Sequence, residues 1–170
     1  MPEDACVEVF VEIPKGSRNK YEWDHERGGF VLDRMLFTSM QYPGDYGFVP
    51  FTLSGDGDPL DALVLLGEPT FPGCRITARV AGVFHMTDDK GPDAKLITVP
   101  DADPRWLYVT ALADVPGHLL AEVEHFFSVY KDLERKTVEV HGFGDREEAL
   151  RLIAEDRVRF QRAAVPPAMP

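Results

Sequence analysis

The chain has 170 residues, 44% of them apolar, and a net charge of -11, which suits one domain with a substantial core. That acidity argues against a general nucleic-acid or anionic-membrane binder, since phosphate surfaces reward basic ones. It leaves room for a small anionic substrate, because metals and a few lysines can invert the local field.

Residues 7–13 alternate, with Val7, Val9, Val11 and Ile13 on one face and Glu8, Phe10 and Glu12 on the other, which predicts a first strand. After a Pro-Lys-Gly-Ser turn, residues 19–23 read as a second strand with Lys20 and Glu22 on one face. A polar turn leads into a third, residues 30–36, carrying Arg34. Residues 41–50, rich in Tyr, Pro and Gly, read as an irregular loop. Further strands are expected at 63–66, 76–86, 95–99 and 137–142. Two helices follow from apolar periodicity and capping. One has Asp114 as N-cap and a stripe of Leu119, Val123, Phe126, Phe127 and Tyr130; the other runs over 145–160, with Asp145 and Glu148 as a capping box. The pattern predicts a mainly antiparallel β core closed as a barrel, with two helices outside (α+β). One domain over 1–162 is expected, followed by a disordered tail at 163–170.

Chemistry concentrates in a few places. The segment SGDGDPLD (54–61) carries Asp56, Asp58 and Asp61 on a turn that Gly55, Gly57 and Pro59 keep irregular. Three like charges this close repel unless a cation sits among them, and oxygen ligands suit magnesium. Alone, the turn reads equally well as a solvated acidic loop. An EF-hand is excluded, because counting from Asp56 puts Asp61 where that loop needs Gly and Gly67 where it needs Glu. A second cluster, Asp88, Asp93 and Lys95, flanks a Lys-Gly-Pro turn and by itself is an ordinary hairpin. Together the two clusters suggest a site for a polyanion. Carboxylates would hold metal, Lys20, Arg34, Lys95 and Lys131 would hold phosphate oxygens, and Tyr42, Tyr46 and Tyr130 would donate neutral hydrogen bonds. Glu12, Lys20 and Glu22 would line a cavity at the barrel mouth.

Several chemistries lack support. The five histidines never take an HExxH-type spacing, and the Gly-rich turns lack the Lys-Ser/Thr of a P-loop. Cys6 and Cys74 lie far apart in no ligand pattern, which fits a reducing compartment. The acidic N-terminus lacks the basic-then-apolar pattern of a secretion signal, and no apolar run reaches membrane-span length. A soluble, cytoplasmic protein without nucleic-acid or membrane partners is expected.

The ordered motifs VEIP (11–14), NKYE (19–22), DR (33–34), YPGDYG (42–47), DGDPLD (56–61), MTD (86–88), DAK (93–95) and HFFSVYKDLE (125–134) closely resemble the soluble, magnesium-dependent family I inorganic pyrophosphatases of bacterial type. The resemblance covers residues 7–143, and DGDPLD is its most specific piece. It implies an OB-like five-stranded β-barrel with two outer helices, several Mg2+ ions per site, and hydrolysis of pyrophosphate, as its magnesium complex, to two orthophosphates by a metal-activated water. By the same resemblance Asp56, Asp61 and Asp93 match the ligands of the tightest metal sites, with Asp61 bridging two ions. Asp88 and Glu12 match ligands of ions arriving with substrate, and Asp58 the carboxylate that activates water. Lys20, Arg34, Tyr46, Tyr130 and Lys131 match phosphate contacts, with Glu22, Tyr42 and Lys95 in support; bacterial members are commonly homohexamers. The rival readings are a magnesium-dependent hydrolase of other phosphoanhydrides (nucleotides, short polyphosphate) and a non-catalytic OB-like binding barrel.

Overall fold

The structure, a computed structural model, describes residues 5–170; the expected domain start and the acidic N-terminus fall partly within residues 1–4, outside that range. Eight strands and two helices follow the chain: β1 (Cys6–Ile13), β2 (Asn19–Asp24), β3 (Gly29–Met35), β4 (Asp45–Phe48), β5 (Asp61–Val64), β6 (Arg75–Asp88), β7 (Gly91–Pro100), α1 (Gly117–Val129), β8 (Glu139–Gly144) and α2 (Arg146–Arg162).

The strand order is β1-β4-β5-β7-β6-β8, and β1 also pairs with β6. Five strands therefore close into a ring, the OB-like arrangement the sequence predicts, with β8 added at β6 and only β5–β7 parallel. Closure leaves no free edge around the ring. The alternation of β1 buries Val7, Val9, Val11 and Ile13, all 3% exposed or less. Its opposite face carries Phe10, which seats the β2–β3 hairpin. Phe10 stacks on Phe30 at 5.7 Å between ring centroids and meets Trp23 edge-on at 5.4 Å. That aromatic anchor fixes where Lys20, Glu22 and Arg34 stand relative to the ring.

Strand β4 lies inside the segment expected to be an irregular loop. It pairs with both β1 and β5, and Gly47 lets the backbones approach so closely that a Cβ there would sit 1.9 Å from the Phe10 carbonyl oxygen. Helix α1 buries Val123, Phe126 and Phe127 as its stripe predicts. Its N-cap is Pro116, not Asp114. The Asp114 carboxylate instead accepts from the amides of Thr110 and Ala111 (2.8 and 2.9 Å) and caps the short 3-10 turn before the helix. At α2, Asp145 caps the Glu148 amide (2.8 Å), but the Glu148 carboxylate meets His85 Nε2 at 2.8 Å rather than completing a capping box. Residues 163–170 form no helix or strand. They lie against the body where Met169 Sδ accepts from the Phe51 amide (3.4 Å) and the Pro170 oxygen accepts from Arg75 Nη2 (2.7 Å).

Candidate active site

The carboxylates and cations singled out from sequence arrive on different elements and face one cavity of about 460 Å³. Glu12 comes near the end of β1, Lys20 and Glu22 from β2, and Arg34 from β3. Asp61 opens β5, Asp88 ends β6, and Asp93 and Lys95 lie on β7. Tyr130 and Lys131 follow α1. Strand register does much of the gathering: Asp61 sits opposite Lys95 across the parallel β5–β7 pair, and Lys20 opposite Arg34 across the hairpin.

At the floor lies the buried Lys95, 2% exposed. Its Nζ donates to Tyr46 Oη (2.7 Å), Asp61 Oδ2 (3.0 Å) and both Asp93 oxygens (3.1 and 3.0 Å). Burial works against its charge, yet Asp61 and Asp93 outweigh this and hold the ammonium well above the ordinary lysine range. The Asp93 pKa is raised as well: burial lifts its carboxyl, Lys95 opposes that, and the neighbouring Asp61 adds to the rise. Tyr46 donates its hydroxyl to Asp61 Oδ2 at 2.6 Å. A phenol has one proton to give, so the group expected to meet substrate here orients a carboxylate.

Around the rim the cations are held ready. Lys20 bonds Glu22 (2.7 Å) and Asp33 (3.2 Å), Lys131 bonds Asp88 (3.0 Å), and Arg34 reaches Asp33 (2.5 Å) and the buried Glu134 (2.7 Å). Burial would raise Asp88, but the hydrogen bond and charge of Lys131 prevail and its pKa falls. Glu12 is pushed up to about 8 by burial and by Asp61 and Glu22, against the pull of the Trp23 amide, which donates to its Oε1 at 2.9 Å. On the acidic turn Gly57 takes a left-handed φ of 93°, and the Asp58 amide donates to Asp56 Oδ1 at 3.0 Å. Burial and then Asp56 raise the Asp58 carboxyl above its usual range. Glu134, Asp33, Lys136 and His25 were not assigned from sequence; Glu134 and Asp33 reach the site through Arg34, while Lys136 and His25 line the cavity directly.

The donor set tests well against magnesium. Eight carboxylates face the cavity, among them Glu12, Asp56, Asp58, Asp61, Asp88 and Asp93, and apart from His25 the lining offers oxygen rather than imidazole or thiolate. Among the described residues no three Asp, Glu, His or Cys side chains are already drawn together around one point. The Lys95 ammonium stands between Asp61 and Asp93 instead.

An OB-like ring whose mouth gathers hard oxygen donors beside fixed cations fits the class of proteins that handle small phosphate anions. The family model described as inorganic pyrophosphatase matches residues 9–161, and the chain belongs to the inorganic pyrophosphatase family. It is 55% identical to an inorganic pyrophosphatase of Methanosarcina mazei over 160 residues, covering 94% of this chain and 95% of that one. With an inorganic pyrophosphatase of Corynebacterium efficiens it shares 54% over 156 residues, 91% and 98% of the two chains. The crystal structure of the inorganic pyrophosphatase from Thermus thermophilus superposes with a TM-score of 0.92 at 43% identity, covering 95% and 94%.

Proposed function

We propose that the cavity is the site at which the chain hydrolyses inorganic pyrophosphate to two orthophosphates, with magnesium. The enzyme class follows from the family; the assignment of roles to residues is our reading. One observation carries it: eight carboxylates and six Lys or Arg side chains, drawn from separate elements, face a single small cavity. Asp56, Asp61 and Asp93 would hold the tightest ions, with Asp61 shared between two, and Asp88 and Glu12 would hold ions that come with substrate. Bound magnesium would neutralise phosphate charge and lower the pKa of water from about 15.7 towards 7.

The chain's own groups do the rest. Lys20, Arg34, Lys131 and Tyr130 grip the phosphate oxygens and align the reacting phosphorus with the attacking water and the bridging oxygen. Asp33, Glu22 and Glu134 fix those cations in advance, so little ordering remains to be done on binding. Asp58 accepts the proton of the attacking water as the new P–O bond forms. The bridging P–O bond breaks, and the departing phosphate takes up a proton. The raised pKa of Asp58, from burial and Asp56, makes it a stronger base than a free aspartate. Tyr46 and Lys95 act behind Asp61 and Asp93, with Tyr42 packed beside Tyr46.

One domain over residues 1–162, a homohexamer and a cytoplasmic location belong to the same reading. Among the described residues no helix is long and apolar enough to cross a membrane. Exposed Leu32, Met35, Phe37, Leu107 and Tyr108 offer apolar surface for association. The test of function is phosphate release from pyrophosphate, ATP and a phosphomonoester, each with Mg2+ and with chelator. Release from pyrophosphate with Mg2+ alone is expected; equal rates on ATP would favour a broader phosphoanhydride hydrolase.

A further inference from the structure

Helix α2 packs onto the ring through Ala149, Ile153 and Asp156, the last only 1% exposed. An aspartate on this stripe is the wrong residue for packing, because a buried carboxylate costs several kcal/mol unless well bonded. Its partners explain it. Oδ2 of Asp156 accepts from Ser54 Oγ at 2.6 Å, and its other oxygen pairs with Arg159. The backbone repeats the link: the Leu53 amide donates to the Asp156 carbonyl (3.1 Å), and Arg159 Nη1 donates to the Leu53 carbonyl (2.7 Å). Three bonds thus converge on residues 53 and 54 from one turn of a helix.

Ser54 is also the base of the acidic turn. Its amide donates to the Asp58 carbonyl (2.7 Å), and its carbonyl accepts from the Gly57 amide (3.1 Å). Behind it the fully buried Thr52 donates to the Val49 carbonyl (2.6 Å) and accepts from the Leu60 amide (2.9 Å), which closes the other end of the loop. Asp56 and Asp58 themselves are exposed on a glycine-containing turn with little side-chain packing of their own. A turn of this kind needs an external strut to hold two carboxylates in one place.

We infer that Asp156, acting through Ser54, is a positioning residue for Asp56 and Asp58. The C-terminal helix thereby sets the geometry of metal binding and proton acceptance on a turn whose Ser54 lies 102 residues earlier in the sequence than Asp156. This rests on the reading that Asp56 and Asp58 act in hydrolysis. Ser54→Ala removes the strut while leaving the Asp156–Arg159 pair and the backbone links. It should lower kcat by ~10-fold or more, the scale on which supporting partners of metal ligands act. Calorimetric Mg2+ affinity of the metal-free protein should fall by a similar factor. KM for pyrophosphate should hold, because Lys20, Arg34 and Lys131 stand on other elements. Ser54→Thr, which keeps the hydroxyl, should restore both quantities. Asp156→Asn should move them the same way, and the double variant Ser54→Ala/Asp156→Asn should be no worse than the poorer single one. If Asp156→Asn fails to fold, the Ser54 pair decides. A lowered Tm in Ser54→Ala with kcat and Mg2+ affinity untouched would overturn the inference, provided Asp58→Asn run alongside is slow. An unimpaired Asp58→Asn would overturn the reading of the turn itself, and the inference with it.

Discussion

Replacing Lys95 with Met tests whether the ammonium at the cavity floor stands in a position that metal charge can serve. The side chain is almost fully buried, so the change keeps an unbranched stem in its place and removes one positive charge, which stands 5.1 and 5.2 Å from the ring centroids of Tyr46 and Phe127. Asp61 and Asp93, each 3.0 Å from Nζ, then face each other without it, and their local sum with Lys95 moves from -1 to -2. Breaking a buried pair costs ~3–5 kcal/mol. Asp61 and Asp93 remain 29% and 18% exposed and water can reach them, so the lower end applies, ~3 kcal/mol. For a chain of this size that lowers Tm by ~6–12 °C in chelator. Divalent cations should repair much of it, since a ligand at ~100 times its Kd contributes ~2.7 kcal/mol. The variant, relieved of a competing cation, should also bind Mg2+ more tightly than the parent. Differential scanning fluorimetry over a Mg2+ series, with calorimetry for Kd, measures both. A Tm in chelator equal to the parent's, or a Mg2+-dependent gain no larger than the parent's, would refute the reasoning.

Asp58→Asn should keep fold and Mg2+ affinity yet lose ~10²-fold in turnover, the scale of general-base catalysis, as stopped-flow phosphate release would register; a near-parental rate removes the proton-accepting role. In the metal-free protein the Asp88 pKa is depressed, so its stabilising contribution is complete above the ordinary aspartate value near 3.9 and lost as pH falls through the lower folded value. Urea titrations should therefore show Asp88→Asn destabilised at pH 6 and converging with the parent below about pH 4; a constant gap across that range would contradict the ion pair with Lys131. Gly47→Ala would place a Cβ 1.9 Å from the Phe10 carbonyl and should cost ~3 kcal/mol or more by parting β1 from β4. Urea unfolding reads this, and a loss below 1 kcal/mol would show that the two strands separate more easily than their register suggests.

Much of the site was legible because its chemistry lies in short, ordered runs. The alternation of residues 7–13 gives β1 and places Glu12 at its end, and the period of two puts Lys20 and Glu22 together. Strand β4 was not legible, for a physical reason. It is four residues long, follows Pro43 and Gly44, and depends on Gly47, so every local signal reads as turn. The strand exists because β1 and β5 supply partners on both sides, which no window around residue 45 contains. The capping of α1 was missed similarly: Asp114 is a good cap, but for the 3-10 turn that precedes the helix.

The hidden part of the site is the layer that orients it. Tyr46 could be read as a donor, but whether its single proton goes to phosphate or to Asp61 depends on a contact fifteen residues away. Glu134 stood in plain view within a motif, yet its task, holding Arg34, appears only when β3 and the segment after α1 meet. Asp156 is the extreme case, 102 residues from the Ser54 it bonds. One signal could have found it: on the buried stripe of α2, at i, i+4 and i+7 from Ala149, a carboxylate occupies a position where packing alone calls for an apolar side chain. A buried charge that packing does not ask for implies a partner, and in a chain whose chemistry depends on placing carboxylates, the first place to look is the turn that carries them.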